Sequence, residues 1–285
     1  MTLGELIRDT EKRFRAAKLF YGHGTFNARD EAVYLVLRAL RLPFEVSLER
    51  EVSAKAVKQL APLVRSRIEK RIPVAYLLNE AWLDGHSFYV DRRVIVPRSH
   101  IAELLHDNSL MGRKAETKAR ILDLCTGSGC LAILAALAFP KARVDAVDLS
   151  KPALQVAAKN VARYKLGGRV SLIHSDLFDN VPGKYDLIIT NPPYVDRRAM
   201  KALPREYRYE PGMALAGGVD GMDLVKRIIA DAPGHLTGDG ALVCEIGDGR
   251  AALLRAYRRV SFDWPRTAAG TGQVFVLRGR IAGTP

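Results

Sequence analysis

The sequence predicts an α/β fold in which a doubly wound parallel sheet follows a small N-terminal helical domain and a β-hairpin linker. From residue 121 onwards, strand-like apolar runs alternate with helix-like runs, which is typical of parallel sheets with right-handed crossovers. Before residue 80, the apolar residues recur at helical spacing instead. We therefore expect a helical domain at 1–79, a linker at 80–119 and a sheet domain at 120–285.

The first two parts carry turn and capping signals. Asn27, followed three residues later by Asp30, resembles a capping box for a second helix, and Ser53 can cap a third. Asp84-Gly85 is typical of a two-residue hairpin turn, so residues 80–96 should contain the hairpin of the linker. A helix from about Ile101 and a basic, polar stretch at 112–120 should lead into the sheet domain.

The alternation in the third part defines its elements. Strands are predicted at 121–125, 143–148, 169–173, 185–190, 240–245 and 272–278, and helices near 130–138, 151–164, 221–232 and 249–258.

Composition limits the class of protein. The chain has 285 residues, 48% hydrophobic and 26% charged, which is ordinary for a globular protein with a large core. The charged residues of MTLGELIRDTEKRF argue against a secretory segment, and no apolar stretch approaches a membrane span. Three cysteines without a C-x-x-C pair and six scattered histidines predict neither disulfides nor a metal site. We expect a cytoplasmic protein, and the net charge of +13 predicts an anion-rich partner or surroundings.

The most informative residues are Asn191, Pro192, Pro193 and Tyr194. They follow the predicted strand 185–190, and open α/β sheets bind ligands at the carboxyl ends of their strands. An Asn side-chain oxygen and the Pro192 carbonyl can together accept both hydrogens of a planar –NH2 group. The prolines contribute no competing N–H donors, and Tyr194 offers a flat face for an amide or a base. The tetrapeptide therefore predicts chemistry on a weak, conjugated nitrogen.

A glycine-rich turn follows the first predicted strand. Gly127 and Gly129 allow the backbone to approach a ligand closely, and Asp148 at the end of the next strand can hold both ribose hydroxyls. A dinucleotide-binding interpretation is formally possible, because Gly127-x-Gly129-x-x-Ala132 fits G-x-G-x-x-A. The Asn-Pro-Pro-Tyr corner has no use in a nicotinamide enzyme, whereas a methyl donor beside it makes chemical sense. S-adenosylmethionine is therefore the favoured cofactor.

These motifs together resemble the class I S-adenosylmethionine-dependent methyltransferases, and more narrowly the protein-(glutamine-N5) methyltransferases of the HemK-like group. The resemblance covers nearly the whole chain. It is carried by Asp-Leu-Cys-Thr-Gly-Ser-Gly-Cys at 123–130, the Asp148 strand end, Ser-Asp-Leu-Phe at 175–178, the Asn191 corner, and the stretches 72–77, 96–98 and 210–221. It implies a seven-stranded Rossmann-like methyltransferase sheet, and an N-terminal domain that recognises substrate.

Two departures narrow the resemblance. Cys125 occupies the first glycine position of the general methyltransferase loop, and Ser99-His100 follow Pro97-Arg98 where the release-factor branch has Pro-Asp. Both features are similar to the branch that methylates a glutamine of large-subunit ribosomal protein three. Glu103 is offset by one residue from the Glu of the family, so no role is carried over to it.

The resemblance also implies a set of site residues. Asn191, Pro192, Pro193 and Tyr194 should grip the glutamine amide, and Asp176 and Leu177 should border the adenine. The residues expected at the cofactor are Asp123, Leu124, Cys125, Thr126, Gly127, Ser128, Gly129, Asp148, Leu149, Asp176, Leu177, Asn191 and Arg98.

Several alternatives stay open at this point. A basic segment after the tetrapeptide either forms a rim that contacts RNA or an acidic partner, or is a solvated loop; it comprises Arg197, Arg198, Lys201, Arg205 and Arg208. Tyr207 and Tyr209 within it either pack on substrate or hold the loop. An adenine or cytosine methyltransferase acting on RNA or DNA is the nearest rival function, since those bases present the same –NH2 group. A non-catalytic assembly factor is a third possibility. Neither the methylated glutamine nor the oligomeric state follows from the sequence.

Overall fold

The N-terminal part is helical, as predicted. The computed structural model describes residues 1–106, 110–112 and 117–278. Helices α1 (Leu3–Ala16), α2 (Ala28–Ala39), α3 (Ala54–Lys70) and the short α4 (Val74–Leu78) bury one shared apolar cluster, with Phe14 and Leu35 fully enclosed.

The helix caps agree with the sequence except for one detail. Ser53 accepts the Ala56 N–H at the start of α3, and the Asn27 side chain accepts the Asp30 N–H at 2.9 Å. The Asp30 carboxylate, however, bonds the Asn27 side-chain amide at 2.8 Å rather than the Asn27 backbone. Only half of the predicted capping box forms, because an aspartate is one methylene too short to reach back.

The linker contains the predicted hairpin, with β1 (Ala81–Leu83) antiparallel to β2 (His86–Phe88). Asp84 and Gly85 both adopt the left-handed conformation, with φ of 52° and 72°, as a two-residue turn between such strands requires. Helix α5 (Ile101–Leu104) follows. Residues 113–116 of the predicted basic stretch lie outside the described residues.

The third part is a six-stranded sheet flanked by helices. Its order is β10-β7-β6-β3-β4-β5, and all neighbours are parallel except β10 and β7. The strands are β3 (Arg120–Leu124), β4 (Arg143–Asp148), β5 (Val170–His174), β6 (Tyr185–Thr190), β7 (Leu236–Glu245) and β10 (Val274–Arg278). The helices are α6 (Cys130–Ala138), α7 (Lys151–Arg163), α8 (Arg197–Ala202), α9 (Asp223–His235) and α10 (Arg250–Ala256), and β8 (Arg266–Thr267) pairs with β9 (Gly270–Thr271).

Both faces of this sheet are covered, as a doubly wound fold requires. Helix α6 packs with Ile121 and Val144 on one face, whereas α9 packs with Leu122 and Leu124 on the other. The β3 side chains therefore alternate between two cores. No helix in the described ranges is long and apolar enough to cross a membrane.

The expected seventh strand is not formed within the described residues. Beside β10 there is only one antiparallel bridge, in which Asp263 and Val276 exchange backbone hydrogen bonds of 3.0 and 2.8 Å. Pro265 follows two residues later and has no N–H to donate, so the pairing cannot continue as a regular ladder. The seven-strand expectation was wrong in this respect.

The strand order brings two informative segments together. The chain moves from β3 to β4 on one side, and β6 pairs with β3 on the other, so the order reverses beside β3. Leu124 is in register with Val147 of β4 and with Thr190 of β6. The segments starting at Cys125, Asp148 and Asn191 therefore leave the sheet at nearly the same level, where open α/β sheets form their binding crevice.

Candidate active site

The loop between β3 and α6 is shaped by three left-handed residues, Cys125, Gly127 and Gly129, with φ of 58°, 56° and 80°. A Cβ on Gly129 would lie 3.1 Å from the Ala157 Cβ, so this glycine allows close packing of the loop on α7, whereas a Cβ on Gly127 would meet open space. Cys125 is strained, because a residue with a Cβ rarely adopts this conformation. The left-handed backbone at Cys125 is the conformation that a glycine would adopt without this strain.

The Asp123 side chain, at the end of β3, holds this loop in place. One of its carboxylate oxygens accepts the Thr126 hydroxyl at 2.5 Å and the Ala132 N–H at 3.0 Å, while the other oxygen, Oδ1, is buried without a partner in the described residues. Burial raises the pKa of Asp123 to about 7, although both hydrogen bonds oppose that rise. Asp123 therefore ties the strand end to the start of α6 and supports the loop.

Asp148, at the end of β4, accepts two backbone N–H groups. Its Oδ2 bonds Gly127 N and its Oδ1 bonds Ser150 N, both at 2.8 Å. Burial raises the pKa of this carboxyl, and the two hydrogen bonds counteract the rise. Each carboxylate oxygen has a second lone pair that can accept a hydrogen bond, so Asp148 can bind two neighbouring hydroxyl groups.

A cavity of about 110 Å³, which we call the first cavity, lies against these strand ends. The residues expected at the cofactor divide into two groups around it. Cys125, Gly127, Asp148, Leu149, Asp176, Leu177 and Asn191 line it. Asp123, Leu124, Thr126, Ser128 and Gly129 are not among its described lining residues and lie in the strand and loop behind it.

The outer side of the first cavity is formed by residues that the sequence analysis did not assign. Val94 and Ile95 come from the linker, and Pro211, Met213 and Ala214 from the segment before α9. Leu149 and Met213 are about half exposed at this cavity, so they are apolar surfaces that a planar ligand can cover. The only sequence signals for these residues were the resemblance stretches at 96–98 and 210–221, to which no place in the site was assigned.

A second cavity of about 140 Å³ adjoins the first. Ile95, Asn191 and Ala214 line both cavities, and Pro192 and Tyr194 line only the second of these two. Within the described part of the chain the Asn191 side chain has no hydrogen-bond partner. An amide with free donor and acceptor capacity thus stands between two cavities, which is the arrangement needed to bring two ligands into contact.

Tyr194 is held rigidly. Its hydroxyl donates to Glu245 Oε1 at 3.2 Å, and a Cβ on Gly247 would lie 2.7 Å from its ring. Burial raises the pKa of Tyr194 well above its usual range, so the phenol stays protonated and acts as a donor. The ring therefore presents a fixed face to its surroundings.

The backbone of the corner is braced by a glycine segment. Val195 N–H donates to Leu215 O at 2.8 Å, and Gly217 N–H donates to Val195 O at 2.9 Å. A Cβ on Gly217 would lie 2.7 Å from the Tyr194 Cα, and one on Gly221 would collide with the Tyr194 carbonyl oxygen. Only glycine permits this approach, so the segment 215–221 fixes the position of the corner.

Arg98, which the resemblance places at the cofactor, makes its described contacts beside the second cavity. It lines the second cavity and not the first among the described residues. Its guanidinium forms two hydrogen bonds to Glu210, of 2.6 and 2.7 Å, and lies 5.5 Å from the Tyr207 ring centroid. Glu210 also accepts the Val96 N–H at 2.9 Å. This bidentate pair connects the linker to the segment after the corner, a contact that the sequence could not reveal because the partners are 112 positions apart.

The segment after the corner is fastened to the N-terminal helices. Glu206 is buried against Arg67 at 3.3 Å, the Tyr209 hydroxyl donates to Lys70 O at 2.5 Å, and the Tyr207 ring packs on His23 at 4.6 Å. The two tyrosines therefore help to hold the segment, and Tyr207 also lines the second cavity. Arg197, Arg198, Lys201, Arg205 and Arg208 remain exposed on the same segment.

No cluster of His, Cys, Asp and Glu suitable for a metal ion occurs in the ranges that the structure describes.

Comparisons with known proteins agree with this geometry. A family model described as the methyltransferase small domain matches residues 105–205. The chain is 52% identical over 281 residues to a ribosomal protein uL3 glutamine methyltransferase of Bordetella pertussis, covering 97% of this chain and 94% of the relative. It is 50% identical over 288 residues to one of Burkholderia pseudomallei, with the same two coverages.

A solved methyltransferase structure from Pyrococcus furiosus shares the fold, with 18% identity, a TM-score of 0.50 and coverage of 78% of this chain and 98% of that chain. At this identity the likeness concerns the fold alone. The relatives, by contrast, match the chain over nearly its full length. With its glycine loop, Asp148 and Asn191 converging on two adjoining cavities, this chain belongs to the family of ribosomal protein uL3 glutamine methyltransferases.

Proposed function

We propose that this protein transfers a methyl group from S-adenosylmethionine to the side-chain nitrogen of a glutamine in ribosomal protein uL3. The observation that carries the proposal is the position of Asn191, whose unpartnered amide lines both the first and the second cavity. The named activity of the relatives supports the choice of substrate. The donor belongs in the first cavity and the glutamine side chain in the second.

The first cavity suits a nucleoside. Asp148 has two acceptor sites left for the ribose hydroxyls, Leu149 and Leu177 offer apolar surface for the adenine, and Asp176 borders the same end. Gly127 lets the loop approach the ligand, while Asp123, Leu124, Thr126, Ser128 and Gly129 shape the loop from behind. S-adenosylmethionine, bound there, supplies a methyl group on a positively charged sulfur.

The residues of the second cavity would activate the amide. The lone pair of an amide nitrogen is delocalised into its carbonyl, so the nitrogen is a poor nucleophile. If Asn191 Oδ1 and the Pro192 carbonyl accept the two amide hydrogens, they stabilise the positive charge that develops on nitrogen. One such contact contributes about 3–4 kcal/mol to the transition state. Pro193 holds the turn, and Tyr194 packs on the amide plane.

The bonds and protons balance without a strong base. A bond forms between the amide nitrogen and the methyl carbon while the carbon–sulfur bond breaks, which leaves S-adenosylhomocysteine. The nitrogen becomes acidic as it gains the methyl group, so its proton can pass to water. Arg98, paired with Glu210, would form the wall of the second cavity rather than bind the donor.

The roles of the other parts are also proposals. Residues 1–79 would recognise the substrate protein, 80–119 would join the domains, and 120–285 would carry out the transfer. The contacts of Glu206 and Tyr209 with the N-terminal helices support this, because they couple that domain to the second cavity. The exposed basic segment would contact ribosomal RNA of an assembling subunit in the cytoplasm.

A labelling experiment tests the proposed function. Ribosomal fractions are incubated with the enzyme and a donor labelled in its methyl group, and then treated with protease or with RNase. We expect the label to be released by protease, to survive RNase, and to add one methyl group to the intact mass of uL3. Label that RNase removes would contradict the proposal and favour an exocyclic amine of a nucleic acid.

A further inference from the structure

An open groove of about 900 Å³ lies on the other side of Tyr194, and we call it the outer groove. Arg98, Tyr194 and Val195 line both the outer groove and the second cavity. One wall comes from the N-terminal loop at Gly22–Phe26, and the others come from the hairpin turn and the sheet domain. A glutamine side chain in the second cavity would therefore leave its main chain in this groove.

The charge of the outer groove is opposite to that of the whole protein. Its lining contains six carboxylates but only two arginines, in a chain of net charge +13. One of those arginines, Arg98, is already paired with Glu210. The carboxylates are Asp84, Glu103, Asp196, Asp220, Glu245 and Asp248.

Some of these carboxylates already have partners, but an excess remains. Asp220 pairs with Lys226 at 2.8 Å, and Asp196 caps α8. Asp84 lies 2.6 Å from His106 Nε2, and Glu103 accepts the Ala268 N–H at 2.7 Å. Glu245 is buried, and burial raises its pKa against its hydrogen bonds. Asp248, in contrast, is exposed and has no ion-pair partner in the described residues. A positively charged ligand is the complement of such a groove.

The rim and floor of the outer groove fit a polypeptide. Phe26 is 90% exposed and Val219 is 65% exposed, although both are apolar. Gln273, which is half-buried, adds a polar side chain to the lining of the groove. Nucleic acid is disfavoured there, because phosphates would lie beside carboxylates.

We propose that the outer groove binds the segment of the substrate protein that flanks the glutamine, and that this segment is rich in Lys and Arg. This inference rests on the proposed function, since it extends the same amide site. A protein that assembles with ribosomal RNA carries such segments for its own RNA contacts. The basic segment on the outside of the enzyme would then contact the RNA of a substrate particle. The acidic groove would contact the protein of the same particle.

A binding experiment tests the groove without requiring turnover. Fluorescent peptides of roughly 12 residues carry a central glutamine with Lys and Arg flanks, or with Ser at the same positions. Their affinity for the enzyme is measured by anisotropy in the presence of S-adenosylhomocysteine. We expect the basic peptide to bind about tenfold more tightly at low salt, and the advantage to shrink at about 0.5 M salt.

Two double variants with the same change in net charge make the test specific. Asp84→Asn with Asp248→Asn should weaken binding of the basic peptide about fivefold and leave the Ser peptide unchanged. Asp84 is at φ 52°, a conformation that asparagine tolerates. Asp9→Asn with Asp231→Asn, both exposed and outside the groove, should change neither peptide.

The outcomes separate the groove from the function. Equal affinity for both peptides, or equal effects of the two double variants, would overturn the groove proposal. Methyl transfer to either peptide, measured separately with S-adenosylmethionine in place of S-adenosylhomocysteine, would keep the proposed function even then. A basic peptide that binds in the groove but accepts no methyl group would contradict the function and leave the groove standing.

Discussion

Replacing Asn191 by alanine is expected to lower kcat by about 10²–10³ while changing the donor affinity less than about twofold. The Asn191 side chain has no hydrogen-bond partner in the described residues, so its removal disturbs no contact that holds the fold. It removes only the acceptor that stabilises charge on the amide nitrogen during transfer. Single-turnover methyl transfer gives the rate, and calorimetry with S-adenosylmethionine gives the affinity.

Asp148→Ala is the control for the Asn191 variant, because it should affect donor affinity more than the rate of transfer. This change removes the acceptor for the ribose hydroxyls and also the anchor of the Gly127 N–H, so it should weaken donor binding. At saturating donor, its rate should exceed that of the Asn191 variant. If Asn191→Ala lost affinity and rate in equal measure, Asn191 would be a donor ligand and the assigned role would be wrong.

Arg67→Met is expected to reduce the free energy of unfolding by about 3–5 kcal/mol. Arg67 is 1% exposed and bonds Glu31 at 2.8 Å, Glu206 at 3.3 Å and the Phe20 carbonyl at 2.7 Å. Methionine fills the space but leaves the buried Glu31 without its counter-charge, and it leaves Glu206 with Arg71 alone, at 3.5 Å. Urea unfolding at pH 7 measures the loss.

The pH dependence of this variant gives a second readout. Burial already raises the pKa of Glu31 above its usual 4.5, and the Arg67 guanidinium opposes that rise. Without Arg67 the folded-state pKa rises further above the unfolded value, so the folded state binds more protons. The variant should therefore be most stable below about pH 4.5 and lose stability as the pH rises.

Arg65→Met, on the exposed side of the same helix, makes the same change in charge and should alter stability by less than about 0.5 kcal/mol. Equal stability of the two variants at pH 7 would show that the buried network contributes nothing.

The sequence was informative wherever a property is local. The Asp84-Gly85 turn, the Ser53 cap and the boundaries of α6 follow from neighbouring residues, and the structure confirms them. The same holds for the positions of Gly127, Asp148 and Asn191 at strand ends, because hydrophobic runs define the strands that precede them.

The sequence failed where distant residues decide the structure. The pairing of Arg98 with Glu210 joins positions 112 apart, and no local pattern in the sequence indicates it. Within the described residues no seventh strand forms beside β10, where Pro265 interrupts pairing. Gly217 and Gly221 support the corner because their backbone lies close to the backbone of Tyr194. Such a contact produces no periodic pattern in the sequence.

The account depends most on the placement of two ligands on either side of Asn191. A crystal structure of the enzyme with S-adenosylhomocysteine and a glutamine peptide tests it directly. We predict the sulfur in the first cavity, the carboxamide in the second, and Asn191 Oδ1 within about 3 Å of the amide nitrogen. A sulfur remote from Asn191, or an Oδ1 turned away from the carboxamide, would contradict the account.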